Sequence, residues 1–118
     1  MAHILLVDDS RTSRKMLRNV LEENGHIIIG EAVNGKEGVE KYKELKPDLV
    51  TMDITMPILD GLEALQQIIA YDEAAKIVMI TAAGQKNKMV DALKFGAAEF
   101  LAKPFEYNQI MDIINRVL

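Results

Sequence analysis

The chain contains no cysteine, has few aromatic residues (5%) and has no long hydrophobic run. Without thiols it cannot form disulfides, thiolate metal sites or cysteine nucleophiles, and nothing demands an oxidising compartment. The apolar run that starts at Ile4 stops at Asp8, well short of the roughly 7–15 residues of a secretory signal. No run approaches the roughly 20 residues of a membrane span. We therefore expect a cytoplasmic protein without membrane insertion.

Length and composition are typical of one compact domain covering residues 1–118. Apolar residues make up 49% of the chain and charged residues 27%, which is the balance of a globular protein and not of a disordered one. The net charge of −4 provides no basic excess for phosphate backbones. Direct binding to nucleic acid is therefore not expected.

Five short apolar runs alternate with five segments of helical period, which predicts β–α units and a parallel sheet. Asp60, with Glu63 three residues later, predicts a helix start, and Pro47 predicts the end of an earlier helix. The strands lack an alternating pattern, which indicates burial on both faces beneath right-handed crossover helices. The prediction is a doubly wound α/β fold with strands near 3–7, 27–29, 49–52, 77–80 and 100–102.

Helical spacing also predicts which side chains face the core. The fourth helix, near 85–95, has the weakest pattern, with Val90 and Leu93 expected inward. Its lysines at 86, 88 and 94 are expected in solvent. In the first helix the predicted inward face consists of Met16, Leu17, Val20 and Leu21.

Polar residues end four of the apolar runs. Asp8 and Asp9 close the first run, Asp53 closes the third, Thr81 follows the fourth and Lys103 follows the fifth. If the runs are parallel strands of one sheet, all these groups stand at its carboxyl edge, where open α/β sheets bind ligands. The pattern therefore predicts a site.

Three carboxylates at one site repel each other, by about 4 kcal/mol for a pair of unit charges 4 Å apart at an effective dielectric of 20. Proton uptake, the ammonium of Lys103 or a divalent cation could neutralise them. Among metals Mg²⁺ suits best, because it prefers oxygen ligands and binds through one or two carboxylates together with phosphate. No histidine or cysteine lies nearby in sequence to attract zinc.

A carboxylate beside Mg²⁺, a lysine and a hydroxyl can support phosphoryl transfer. Asp53 would be the nucleophile, since aspartate can form an acyl phosphate. Lys103 and the cation would hold phosphoryl oxygens, and Thr81 would donate a hydrogen bond to another. Catalysis of this kind depends mainly on positioning and charge neutralisation.

These residues resemble the receiver domain of two-component response regulators, in particular the stand-alone CheY-like kind. The resemblance rests on Asp8-Asp9, the segment 52–57 around Asp53, Thr81-Ala82 and the segment 103–105, and it covers the whole chain. It implies a flavodoxin-like sheet of five parallel strands in the order 2-1-3-4-5, with five helices. It also implies a phosphorylation-activated signal relay, with chemotaxis as one pathway that fits. Such a relay catalyses only its own phosphorylation and dephosphorylation.

The resemblance implies a role for each matching residue at the acidic end of the site. Asp53 matches the residue that accepts phosphate from a sensor histidine kinase. Asp8, Asp9, Asp53 and the main-chain carbonyl of Thr55 match the Mg²⁺ site, with Asp8 acting through water. Thr55 stands where many chemotaxis members have Asn, and Ala83 where some have Glu. These two positions set the lifetime of the phosphate in the family.

Further matches concern signal output. Thr81 and Lys103 match the pair that detects the phosphate, and Phe100 matches an aromatic that swings inward when Thr81 moves. The Lys103-Pro104 bond is cis in such domains. The fourth helix, fifth strand and fifth helix would contact a downstream target or phosphotransfer protein. We expect a monomer, with dimerisation on phosphorylation as an alternative.

Two other functions use similar parts. A Mg²⁺-dependent phosphatase of haloacid dehalogenase type also forms an aspartyl phosphate, but it needs a D-x-D motif after the first strand, whereas Asp8 and Asp9 are adjacent. The chain is also short of room for a substrate cap. A flavodoxin-like FMN module needs a phosphate-cradling loop at the same place, where this chain puts negative charge. Both alternatives are therefore disfavoured.

Overall fold

The structure is a computed structural model that describes residues 1–82 and 84–118. Strands and helices alternate throughout. The strands are β1 His3–Val7, β2 Ile27–Ala32, β3 Leu49–Asp53, β4 Ile77–Thr81 and β5 Glu99–Ala102. The helices are α1 Arg11–Glu23, α2 Gly35–Leu45, α3 Gly61–Tyr71, α4 Lys86–Lys94 and α5 Tyr107–Val117.

The strands form one parallel sheet in the order β2-β1-β3-β4-β5, which confirms the predicted fold. Successive β1 residues enter opposite layers of the core. Leu5 and Val7 pack with residues of α2, α3 and α4, whereas Ile4 and Leu6 pack with residues of α1 and α5. Burial on both faces explains why the strands are almost entirely apolar. Within the described residues, no helix combines the length and apolar character needed to cross a bilayer.

Side-chain caps start three of the helices. Ser10, Asn34 and Asp60 each accept a hydrogen bond from the backbone N–H three residues later. The cap at Asp60 confirms the predicted start of α3. The next residue, Gly61, donates its N–H to the carbonyl of Ile54 at 2.7 Å, and a Cβ there would lie 2.0 Å from the carbonyl oxygen of Asp53. Glycine thus allows α3 to begin directly against the backbone of Asp53.

Some predicted inward positions are wrong. Val90 is 53% exposed and Leu93 47% exposed, while Ala92 is the buried residue of α4. Val90 lies about half a turn from Ala92, so the two cannot share a face. Met16 of α1 is likewise exposed, whereas its neighbour Leu17 is buried. Helix α4 therefore contributes the small side chain of Ala92 to the core.

A tyrosine cluster links α2 and α3 at the amino end of the sheet. The Tyr42 hydroxyl donates to Oδ2 of Asp72 at 2.7 Å, and the Tyr42 and Tyr71 rings meet edge to face at 6.4 Å between centroids. Burial, followed by the hydrogen bond to Asp72, raises the pKa of Tyr42. Tyr42 borders a cavity with Met1 and Asp48, at the end remote from Asp53.

Candidate functional site

The carboxyl ends of β1 and β3 bring three acidic residues together. Val7 pairs with Met52 in the parallel register, so the residues that follow them, Asp8 and Asp53, are neighbours. Asp8, Asp9 and Asp53 each offer a carboxylate oxygen, and these oxygens lie within 4.8 Å of one another. Asp8 and Asp53 are buried, whereas Asp9 is exposed. The arrangement joins two enclosed carboxylates to one that faces solvent.

Lys103 places its ammonium between the two buried acids. Its Nζ lies 3.4 Å from Oδ2 of Asp8 and 3.7 Å from Oδ2 of Asp53. The Lys103 N–H donates to the carbonyl of Thr81 at 2.7 Å, which fixes this residue to the end of β4. One ammonium cannot balance three ionised carboxylates. The site therefore keeps a negative charge that attracts cations.

The environment of Asp53 favours its protonated form. Burial, and next the charge of Asp8, raise the pKa of Asp53 to about 6, while the charge of Lys103 acts in the opposite direction. At neutral pH most Asp53 carboxyls are still ionised. The carboxylate is thus available as a nucleophile, although its surroundings disfavour its negative charge.

One carboxylate oxygen at this site has no hydrogen-bond partner. Oδ1 of Asp8 accepts from the N–H of Ser10 at 2.8 Å, but Oδ2 is buried without such a partner among the described residues. Buried polar atoms usually form hydrogen bonds, so an oxygen at an acidic cluster whose ion-pair partner is the ammonium of Lys103 suits an additional ligand. The donors are all oxygen atoms, as Mg²⁺ prefers. These three residues could hold a metal ion, and they fit Mg²⁺.

Two other predicted residues lie on the neighbouring strands β4 and β5. Thr81 is buried at the end of β4, next to Ile80, which pairs with Asp53. Phe100 is partly buried and pairs with Met79 on the neighbouring strand. The Lys103-Pro104 peptide bond is cis. Ala83 lies outside the described residues.

Two residues with contacts at the site, Gln85 and Arg14, were not predicted. Gln85 accepts a hydrogen bond from the N–H of Ala82 at 2.7 Å and donates one to Oγ1 of Thr55 at 2.6 Å. Arg14 donates to the main-chain carbonyl of Asp8 and pairs with Glu31 at 2.9 Å. Glutamine at a helix start, where Ser, Thr, Asp or Asn is usual, is the one sequence signal that could have drawn attention to Gln85.

Comparison with known proteins agrees with this geometry. Residues 4–115 match the family model described as response regulator receiver domain. The chain is 46% identical to chemotaxis protein CheY of Thermotoga maritima, covering 97% of this chain and 95% of the relative. It is 48% identical to chemotaxis protein CheY of Bacillus subtilis, covering 100% and 99%.

A solved structure shares both the fold and the sequence pattern. In the CheX-CheY-BeF3-Mg+2 complex from Borrelia burgdorferi, one chain superposes with a TM-score of 0.94 at 37% identity, covering 98% of this chain and 87% of that one. Proteins of this group act as signalling switches and not as ordinary enzymes. By its fold, its rim of acids and its sequence, the chain belongs to the response regulator receiver domain family.

Proposed function

We propose that the chain is a phosphorylation-activated relay of two-component signalling. A sensor histidine kinase would supply the phosphoryl group, and a downstream target or phosphotransfer protein would read it. The observation that carries this function is the position of Asp53, with a carboxylate of Asp8 and the ammonium of Lys103 beside it. The CheY relatives favour a chemotaxis pathway. The unit would be one domain over residues 1–118, monomeric at rest.

Asp53 is the acceptor in this proposal. A carboxylate oxygen of Asp53 attacks phosphorus, and the new P–O bond forms as the bond from phosphorus to the donor breaks. Lys103, 3.7 Å from Oδ2 of Asp53, is placed to neutralise phosphoryl charge. Thr81, at the end of the adjacent strand, can donate its hydroxyl to a phosphoryl oxygen. In this proposal the chain catalyses only its own phosphorylation and dephosphorylation.

A bound Mg²⁺ would neutralise phosphoryl oxygens during the transfer. The residues that would hold it are Asp8, Asp9, Asp53 and the main-chain carbonyl of Thr55. The Oδ2 of Asp8, which has an ion pair with Lys103 but no hydrogen bond among the described residues, and the close approach of the three carboxylates support this assignment. Thr55 is exposed beside the acceptor, which supports a role for its side chain in setting the phosphate lifetime.

Partner binding would follow from a change in the contacts of the residues at the carboxyl edge of the sheet. A modification shifts a conformational equilibrium only through interactions that differ between the two states. The differing interaction proposed is the one between Thr81 and the phosphoryl group, with Phe100 turning inward. Val90, Leu93 and Phe95 expose apolar surface around α4. That surface, together with β5 and α5, would be read by the partner.

The test is phosphorylation of the purified protein by acetyl phosphate and Mg²⁺, followed by mass spectrometry. One phosphate should be added to the wild type and to the control Asp112→Asn, since Asp112 is exposed on α5. Asp53→Asn should add none, and a chelator should suppress labelling of the wild type. Undiminished labelling of Asp53→Asn would refute the proposal. Sustained hydrolysis of phosphomonoesters would point to a phosphatase instead.

A further inference from the structure

The side chain of Gln85 joins two loops at the rim of the site. Its Oε1 accepts from the N–H of Ala82, directly after β4, and its Nε2 donates to Oγ1 of Thr55, shortly after β3. Gln85 occupies the N-cap position of α4, yet its side chain forms no cap hydrogen bond. The oxygen and the nitrogen of its amide therefore contact Ala82 and Thr55, and not the backbone of its own helix.

These contacts matter because the first turn of α4 has little other support. Helices α1, α2 and α3 each begin with a side chain that accepts from a backbone N–H, and α4 does not. Its first turn has no acidic residue and carries Lys86 and Lys88, whose charges oppose the helix dipole at this end. The two hydrogen bonds of Gln85 thus tie the start of α4 to the loops that flank Asp53.

The N–H of Ala82 is also placed to meet a ligand. Ala82 is exposed and follows Thr81 at the carboxyl end of β4, next to the strand that carries Asp53. Backbone N–H groups at such strand ends can donate to ligand oxygens. A phosphoryl group brings strong, charged acceptor oxygens, and a hydrogen bond to a charged acceptor is stronger than one to a neutral amide. The phosphoryl group would therefore compete with Gln85 for this donor.

We propose that Gln85 is a displaceable latch. In the unphosphorylated chain its amide oxygen accepts the hydrogen bond from the N–H of Ala82. After phosphorylation of Asp53, a phosphoryl oxygen accepts that hydrogen bond instead. Displacement breaks the bridge to Thr55 and releases the first turn of α4. This role rests on the proposed function of Asp53, and it makes Gln85 a positioning residue through which the site controls the start of α4.

The first experiment measures binding of beryllofluoride with Mg²⁺ to the full chain. Because the resting contacts need not be broken in Gln85→Ala, this variant should bind beryllofluoride about 5- to 10-fold more tightly than the wild type. The control Gln67→Ala, at an exposed glutamine on α3, should bind as the wild type does. Equal affinity of Gln85→Ala and wild type would overturn the latch.

A second variant addresses the other end of the bridge without altering α4. Thr55→Val removes the hydroxyl that accepts from Gln85, so it should also strengthen binding. The two substitutions break the same bridge, and the double variant should bind no more tightly than Gln85→Ala alone. Fully additive effects would show that the two residues act independently and would contradict the latch.

Nuclear magnetic resonance of the wild type supplies a readout that needs no substitution of the latch. Beryllofluoride should move the side-chain amide signals of Gln85 to the positions of a solvent-exposed glutamine and leave those of Gln67 unchanged. Unchanged Gln85 signals in protein whose Asp53 is complexed would refute only the latch. Failure of every variant and the wild type to bind beryllofluoride at Asp53 would refute the phosphoacceptor function itself.

Discussion

Replacing Asp53 by asparagine should stabilise the metal-free protein at neutral pH. Asp53 is 7% exposed and lies beside Asp8, so its ionised form is buried next to a like charge. Asparagine has nearly the same shape and no charge, and its amide can donate to Oδ2 of Asp8, which has no hydrogen-bond partner among the described residues. The substitution therefore removes a repulsion while keeping the packing.

The raised pKa gives the size of the effect. The pKa of Asp53 is about 6 in the folded chain against an ordinary value of 3.8. At 1.36 kcal/mol per pKa unit, ionised Asp53 lowers the free energy of unfolding by about 3 kcal/mol. Because the folded pKa is raised, the contribution of Asp53 to stability is most favourable below pH 3.8, and it is lost as the pH rises through 6. Asparagine should abolish that loss.

Urea denaturation followed by circular dichroism, with a chelator present, tests this at two pH values. At pH 7.5 the midpoint for Asp53→Asn should rise by about 1.5 M, taking a denaturant slope of about 2 kcal/mol/M. At pH 4 Asp53 is protonated in the folded wild type, so the two proteins should unfold at nearly the same concentration. Asp112→Asn, exposed on α5, should change neither midpoint appreciably.

The reasoning would be refuted by a gain that is equal at both pH values, or by a loss of stability at pH 7.5. An equal gain would mean that packing or hydrogen bonding, and not charge, causes the change. Added Mg²⁺ should reduce the difference at pH 7.5, because a cation that binds the folded wild type stabilises it by mass action. Asp53→Asn loses one carboxylate ligand and should gain less from the metal.

Three further substitutions have defined outcomes. Gly61→Ala would place a Cβ 2.0 Å from the carbonyl oxygen of Asp53, so it should lower the free energy of unfolding by about 3 kcal/mol. Urea titration measures this change, and an unchanged midpoint would contradict the close contact. Ile58 is 78% exposed and has a φ of 70°, a backbone conformation that asparagine tolerates better than isoleucine. Ile58→Asn should therefore raise the free energy of unfolding by about 1 kcal/mol, as measured by calorimetry. A lower melting temperature would count against backbone strain. Lys103→Met should raise the pKa of Asp53 further in a carbon-13 titration, whereas a lowered pKa would show that the ammonium does not face this carboxylate.

The sequence was sufficient to predict the acidic site because each part depends on local pattern. A run of apolar residues ending in Asp8 or Asp53 marks a strand end, and parallel strands align those ends at one edge of the sheet. The helix start at Asp60 is similarly local, since a cap involves residues three positions apart. These features need no knowledge of how distant segments pack.

Features that depend on tertiary placement could not be predicted. Helical spacing predicted Val90 and Leu93 on the inward face of α4, but the buried residue of that helix is Ala92. β2 extends three residues beyond its β-branched run because pairing with β1 supports them. The bridge from Gln85 to Thr55 joins residues 30 positions apart and depends on two loops meeting in space.

The tyrosine cluster determines what optical spectroscopy can detect in this protein. The chain has no tryptophan and three tyrosines, so its intrinsic fluorescence comes from tyrosine alone. Tyr42 and Tyr71 emit from the end of the sheet remote from Asp53, and the third, Tyr107, begins α5. The fluorescence of Tyr42 and Tyr71 should follow global unfolding and respond weakly to phosphorylation. A tryptophan placed at Phe100, on the strand β5 that the proposed output surface includes, would supply an optical signal without competing emission from a native indole.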